Sequence, residues 1–188
     1  MADFGWLWKR NKSASGDRSE HWRERLCFIR KGNLGYMSEK TGKPELICHL
    51  VELHAVSRVS FPQAGHEHAF VLGFQPEVTF LPAGEKVVKP VEHICLSADE
   101  ESEATRWMRD IILSYTDIRA QRIFMRASYP AAKKAHPLLT KPQIEHFLRQ
   151  QYSELSAAAR QRYASQVARV AFPNRSGNPV YSTQPSIL

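Results

Sequence analysis

The sequence predicts a mainly β fold: a seven-stranded bent antiparallel sheet or barrel, capped by a C-terminal α-helix and followed by an α-helical extension. Three observations carry this. Up to Leu96 the chain runs in short alternating or aromatic-rich segments separated by turn residues, the pattern of antiparallel strands. Beyond Ser97 the period changes, and Ala104, Trp107, Ile111 and Tyr115 recur at helical spacing. A run of strands closed by one helix suits a bent sheet whose open end the helix plugs.

The elements follow in order. Gly5-Trp6-Leu7-Trp8-Lys9-Arg10 and His21-Trp22-Arg23-Glu24-Arg25-Leu26-Cys27-Phe28-Ile29 mix aromatic, apolar and basic residues without helix breakers, so both read as strands. The polar loop between them makes them a hairpin. Gly32-Asn33 signals a tight turn into a third strand, about Leu34 to Ser38. Glu39 to Pro44 is a polar turn. Strands are expected at Leu46 to Leu53, Ala55 to Phe61, His68 to Phe74 and Val91 to Leu96, with Gln75 to Pro90 as a long loop carrying three prolines. Ser97 or Asp99 is expected to cap the helix, whose acidic first turn complements its dipole.

The totals bound the function. With 188 residues, 43% hydrophobic and 24% charged, the chain suits a globular domain with an appendage. Three scattered cysteines form neither a disulfide framework nor a metal motif and suit a reducing compartment. No run approaches the ~18 apolar residues of a membrane span. Met1 to Gly5 lacks the pattern of a signal peptide, and Ala2 stands where myristoylation needs glycine. The expected location is therefore cytoplasmic and peripheral to membrane. The net charge of +7 is unevenly spread: +5 over residues 1–44, −6 over 45–116 and +8 over 117–188. Two basic ends around an acidic middle favour an anionic partner: a membrane leaflet, nucleic acid or an acidic protein.

The first hairpin gathers cations at its open end. Lys9 lies late in the first strand, and Arg23 and Arg25 lie early in the second. Residues two apart share a strand face, so Arg23 and Arg25 project together while Glu24 faces away. Such a cluster suits a multiply charged anion such as a phosphorylated headgroup.

These residues resemble a pleckstrin homology domain over about residues 4–116. Gly5 to Lys9 resembles the family's first strand, Trp22 to Ile29 its second and Leu34-Gly35-Tyr36 its third. Trp107, within Glu103 to Ile111, matches its near-universal tryptophan. The Leu26-Cys27 pair departs from the pattern, where an aromatic residue is common; it bears on packing rather than on lipid contact. The resemblance implies phosphoinositide binding, with the lipid-binding Lys…Lys/Arg-x-Arg pattern falling on Lys9, Arg23 and Arg25. It also implies helper roles for Tyr36 and Lys43. Arg10 and Lys12 complete the candidate set.

The expected organisation is a domain at 4–116, a helical extension at 117–171 and a disordered tail at 172–188. In the extension, Asp117 to Ala127 carries Arg119, Arg122 and Arg126 as a basic stripe, and Ser128-Tyr129-Pro130 is expected to end it. Thr140 caps a second helix with Pro142 in its first turn. Phe147, Leu148, Tyr152 and Leu155 form that helix's apolar face. Ser156 to Ala171 forms a third segment. The extension either packs as plain core or binds a protein partner. Nucleic acid is the least favoured partner, although Tyr152-Ser153-Glu154-Leu155-Ser156 through Tyr163 resembles part of an HMG box. In the tail, Asn178-Pro179-Val180-Tyr181 is similar to the Asn-Pro-x-Tyr ligand of phosphotyrosine-binding domains. Ser186-Ile187-Leu188 resembles a C-terminal PDZ ligand, so Asn178, Pro179, Tyr181, Ser186 and Leu188 are candidate partner motifs.

No catalytic constellation is legible. His93 and Cys95 alternate on one strand without a third ligand, and a zinc site needs about four. No phosphate-binding glycine loop or nucleophile elbow is present. The expectation is a non-enzyme without cofactor or metal. It is a phosphoinositide-binding adaptor, or else a scaffold whose helical tail binds a protein.

Overall fold

The β1–β2 hairpin anchors the sheet: β1 (Asp3–Asn11) pairs with β2 (His21–Arg30) over its whole length. The computed structural model describes residues 3–11, 21–60, 65–74, 78–80, 86–88, 93–167, 172–173 and 179–180. Lys31 and Gly32 both take positive φ, 48° and 78°, between Arg30 and Asn33, which face each other across the ladder. Two left-handed residues in a two-residue loop define the hairpin turn whose twist matches the flanking strands. The turn therefore sits one residue earlier than Gly32-Asn33. β3 (Asn33–Met37) and β4 (Pro44–His49) follow, then a 3-10 turn at Leu50–Glu52. This turn breaks the long fourth strand expected from Leu46 to Leu53, so β5 starts early, at Leu53–Arg58.

β6 (His68–Phe74) falls where the alternation places it. Within the expected loop, β7 (Val78–Phe80) pairs with β8 (Lys86–Val88) as a small separate hairpin. β9 (His93–Ala98) completes an antiparallel sheet of seven strands, in the order β4-β3-β2-β1-β9-β6-β5, that does not close. Ser97 belongs to β9, opposite Ala69 and Trp8, and does not cap the helix. Helix α1 (Glu101–Ala135) instead begins with the bond from the Ala104 N–H to the Glu100 carbonyl. Arg58 on β5 ties it down, its Nη2 lying 2.6 Å from Glu101 Oε1 and 2.8 Å from Thr105 Oγ1.

The described chain forms two compact units, Met1–Ile112 with Arg169–Leu188, and Leu113–Ala168. The first is cored by Leu7, Cys27, Leu34, Leu50, Val56, Phe70, Leu72, Leu96, Trp107 and Ile111, all essentially inaccessible. Each such large side chain contributes about 1.5–3 kcal/mol by leaving water. In the second unit α1 continues through Pro130 rather than stopping there. A proline inside a helix costs about 3 kcal/mol. Packing on both sides of Pro130 works against that cost: Ala132 is buried in one core with Ala120, Phe124, Ile144, Leu148 and Tyr152, and Tyr129 packs against it. α2 (Lys141–Glu154) starts where Thr140 and Pro142 place it, with the Thr140 N–H donating to Gln143 Oε1 at 2.8 Å. α3 (Ala157–Ala164) is capped by Ser156, whose Oγ accepts the Ala159 N–H. Two short strands, β10 (Phe172–Pro173) and β11 (Pro179–Val180), pair in the C-terminal stretch.

Candidate functional site

The β1–β2 register fixes which cations meet. Lys9 stands directly opposite Arg23, and Leu7 opposite Arg25. Residues opposite each other in an antiparallel ladder share a face. That face also carries Leu7 and Cys27, both inaccessible. One strand face thus begins as core and ends as a cationic rim, with Arg23 exposed and Lys9 and Arg25 half-buried. The Cys27 thiol below them is pushed up to about 12 by burial, partly offset by the charges of Arg25 and Lys9. Like charges opposite one another are unfavourable in a ladder, and a polyanion lying over Lys9 and Arg23 reverses that sign.

Two carboxylates complete the rim. Arg25, its side chain 15% exposed, places Nη1 3.1 Å from Glu39 Oε1, and Glu39 is 71% exposed. The Arg25 guanidinium also lies 5.3 Å from the centroid of the Tyr36 ring. Tyr36 on β3 faces Cys27 on one side and Glu45 on the other. Its hydroxyl donates to Glu45 Oε2. Hydrogen bonds from Ser38 and then Tyr36 hold the Glu45 carboxyl below its usual range, and the bond to Glu45 raises the Tyr36 phenol. Sequence reasoning missed Glu39 and Glu45. Glu39 lies in the turn after β3, where no strand period places it against Arg25, and Glu45 comes across from Tyr36 only through the register shift between Leu34 and Gly35.

The other candidates lie elsewhere. Arg10 alternates to the opposite face, where its charge and hydrogen bond pull down a Cys95 thiol that burial raises. It does not converge with Lys9, Arg23 and Arg25. The same outer face carries Trp8 and Trp22, which meet the His66 ring at 5.5 and 4.0 Å, and the Trp8 indole donates to Asp99 Oδ1 at 2.9 Å. Lys43 is exposed in the β3–β4 turn, where its carbonyl accepts the Ser38 N–H. Lys12 lies outside the described residues, as do Asn178, Tyr181, Ser186 and Leu188. Pro179 is described only as backbone paired with Pro173.

An open seven-stranded antiparallel sheet followed by a long helix, with a basic patch at the mouth of its first hairpin, defines a class of small domain. The PH domain model matches residues 5–114, and the chain belongs to the PH domain family. Among solved structures, it is similar to the PH domain of human TBC1 domain family member 2 protein, with 17% identity over 63% of this chain and 83% of that one and a TM-score of 0.41. The C-terminal PH domain of human pleckstrin matches with 20% identity over 60% of this chain and 86% of that one, at a TM-score of 0.39. The PH domain of human oxysterol binding protein-related protein 11 matches with 18% identity over 62% and 81%, at 0.38. No curated protein matches the chain. Among the described residues, no helix is long and apolar enough to cross a membrane.

Proposed function

We propose that the chain is a phosphoinositide-binding, membrane-recruited adaptor. The observation that carries this is the placement of Lys9 directly across from Arg23, with Arg25 two residues along on the same face. Charge-assisted bonds from these three converge on one headgroup. Other cations held near the leaflet add about 1 kcal/mol each. The Arg25–Glu39 pair does not block the site, because ion pairs to so exposed a carboxylate contribute only ~0–1 kcal/mol. Sedimentation with phosphoinositide vesicles tests the reading. The Arg23→Ala, Arg25→Ala double variant is expected to lose headgroup-dependent binding by tenfold or more, since each charged bond contributes ~1.5–3 kcal/mol. Unchanged binding rejects the site.

A second reading has its own support. Arg25 and Tyr36 both already have carboxylate partners, as in a domain that serves as a structural platform while the helical extension binds a protein. On that reading vesicles with and without phosphoinositide bind alike. Protein capture then survives loss of the basic cluster and fails on deletion of residues 140–188.

A further inference from the structure

We propose that the helical unit Leu113–Ala168 binds the phosphate backbone of double-stranded DNA through the cationic face of α1. Nine Lys and Arg stand against three Asp and Glu in this unit. Those three carboxylates are engaged locally. Asp117 accepts the Tyr152 hydroxyl at 3.0 Å, Glu154 accepts the Gln150 amide at 3.0 Å, and Glu145 lies 3.7 Å from Arg149. Among the described residues, Arg149 is the one cation of the unit in an ion pair.

The charge is sorted by face. Arg119, Arg122, Arg126 and Lys133 recur along α1 at intervals of three, four and seven residues, which keeps them in one stripe. Ala120, Phe124 and Ala132 point the other way, into the core. Arg122, Arg126, Lys133 and Lys134 are exposed; the Lys133 ammonium donates to the Pro137 and Leu139 carbonyls, both at 2.9 Å, which fixes it at the end of the row and leaves its third proton for a phosphate. From Arg122 to Lys133 the helix advances roughly 16 Å, the run of about five phosphates on one strand. Six of the nine cations are arginine, whose planar fork suits phosphate oxygens.

The same surface lacks what insertion into a membrane interface and the binding of single strands require. A helix lying in a membrane interface presents an apolar face beside its basic one. Here the large apolar side chains exposed in the described part of the unit are Leu113 and Leu138. Single strands are held by stacking on exposed aromatic rings, whereas Phe124 and Tyr152 are buried and Tyr129, Phe147 and Tyr163 pack against them. The face is a hydrophilic row of cations on one helix, and its regular spacing suits the regular backbone of a duplex. The uneven charge of the sequence already admits nucleic acid as a partner, and the exposure of this stripe on the folded helix favours it.

The test is fluorescence anisotropy of the full chain with a labelled DNA duplex of mixed sequence, titrated between about 50 and 200 mM salt. Replacing two phosphate contacts, Arg122→Gln with Arg126→Gln, is expected to flatten the plot of log affinity against log salt by about 1.8. It is also expected to weaken binding tenfold or more at the low-salt end. The Arg122→Lys, Arg126→Lys pair keeps the wild-type slope. Circular dichroism of both pairs matches the wild type, since the sites are exposed. The Arg23→Ala, Arg25→Ala variant binds the duplex as the wild type does, which separates this surface from the headgroup site. Absence of saturable, salt-dependent duplex binding overturns the proposal, as does a Gln pair that binds like the wild type. A Gln pair that loses phosphatidylserine vesicles but keeps the duplex overturns it in favour of a membrane surface.

Discussion

Glu39 and Arg25 set the behaviour of the cationic rim. The ion pair at 3.1 Å occupies the guanidinium that a phosphate would need, and the carboxylate repels any incoming anion. Glu39→Gln removes both effects without removing bulk. Headgroup affinity, measured by calorimetry with a soluble inositol phosphate, is expected to rise about two- to fivefold, the worth of one exposed pair. A fall in affinity would mean that Glu39 positions Arg25 for the ligand. Much of this rim was legible before any coordinates. The two-residue strand period puts Arg23 and Arg25 together and turns Glu24 away. Arg10 obeys the same period and so parts from Lys9 although the two are neighbours in sequence. Glu45 was illegible because its position opposite Tyr36 depends on pairing across a turn with a register shift, and no local pattern reports that.

The strands and helices follow from their local chemistry except where longer-range packing intervenes. The Lys31-Gly32 turn and the Thr140 cap are read nearly to the residue, because each rests on backbone conformation or hydrogen bonds within a few residues. Pro130 is the opposite case. A local rule ends the helix there, and the packing of Tyr129 and Ala132 into the core shared with α2 favours its continuation. At Gly35 the constraint is space. A Cβ there would lie 2.6 Å from Phe28 Cζ and 2.7 Å from the Glu45 carbonyl oxygen, and the second is backbone. Gly35→Ala is therefore expected to destabilise by about 1–3 kcal/mol, lowering the melting temperature by several degrees. Gly73→Ala is the control, because its nearest neighbour would lie at an ordinary 3.6 Å and the loss there is smaller. Equal losses at the two sites would show that the close approach at Gly35 is not what selects glycine.

Among the described residues, the helical unit has a core built of Ala120, Phe124, Ala132, Ile144, Leu148 and Tyr152. Leu148 is almost wholly buried in it, and Leu148→Ala is expected to cost about 2–5 kcal/mol there. Hydrogen exchange should then quicken in α2 and α3, with β2 and β3 unaffected and headgroup binding retained. Equal quickening in β2 and β3 would mean that the cores are energetically one. The charge division and the stripe of Arg119, Arg122 and Arg126 are plain in the sequence; the helix that continues through Pro130 adds Lys133 to that side. The thiols of this molecule carry a practical consequence. Cys27 and Cys48 are buried with pKa values of about 12, and Cys95 is half-buried. At neutral pH an alkylating reagent finds almost no thiolate at Cys27 and Cys48 in the intact β unit, so the pace at which these two are tagged clocks how often its strands part. A ligand that holds β1 and β2 together slows that clock at Cys27, and its occupancy can be followed by the mass of the peptide that carries this thiol.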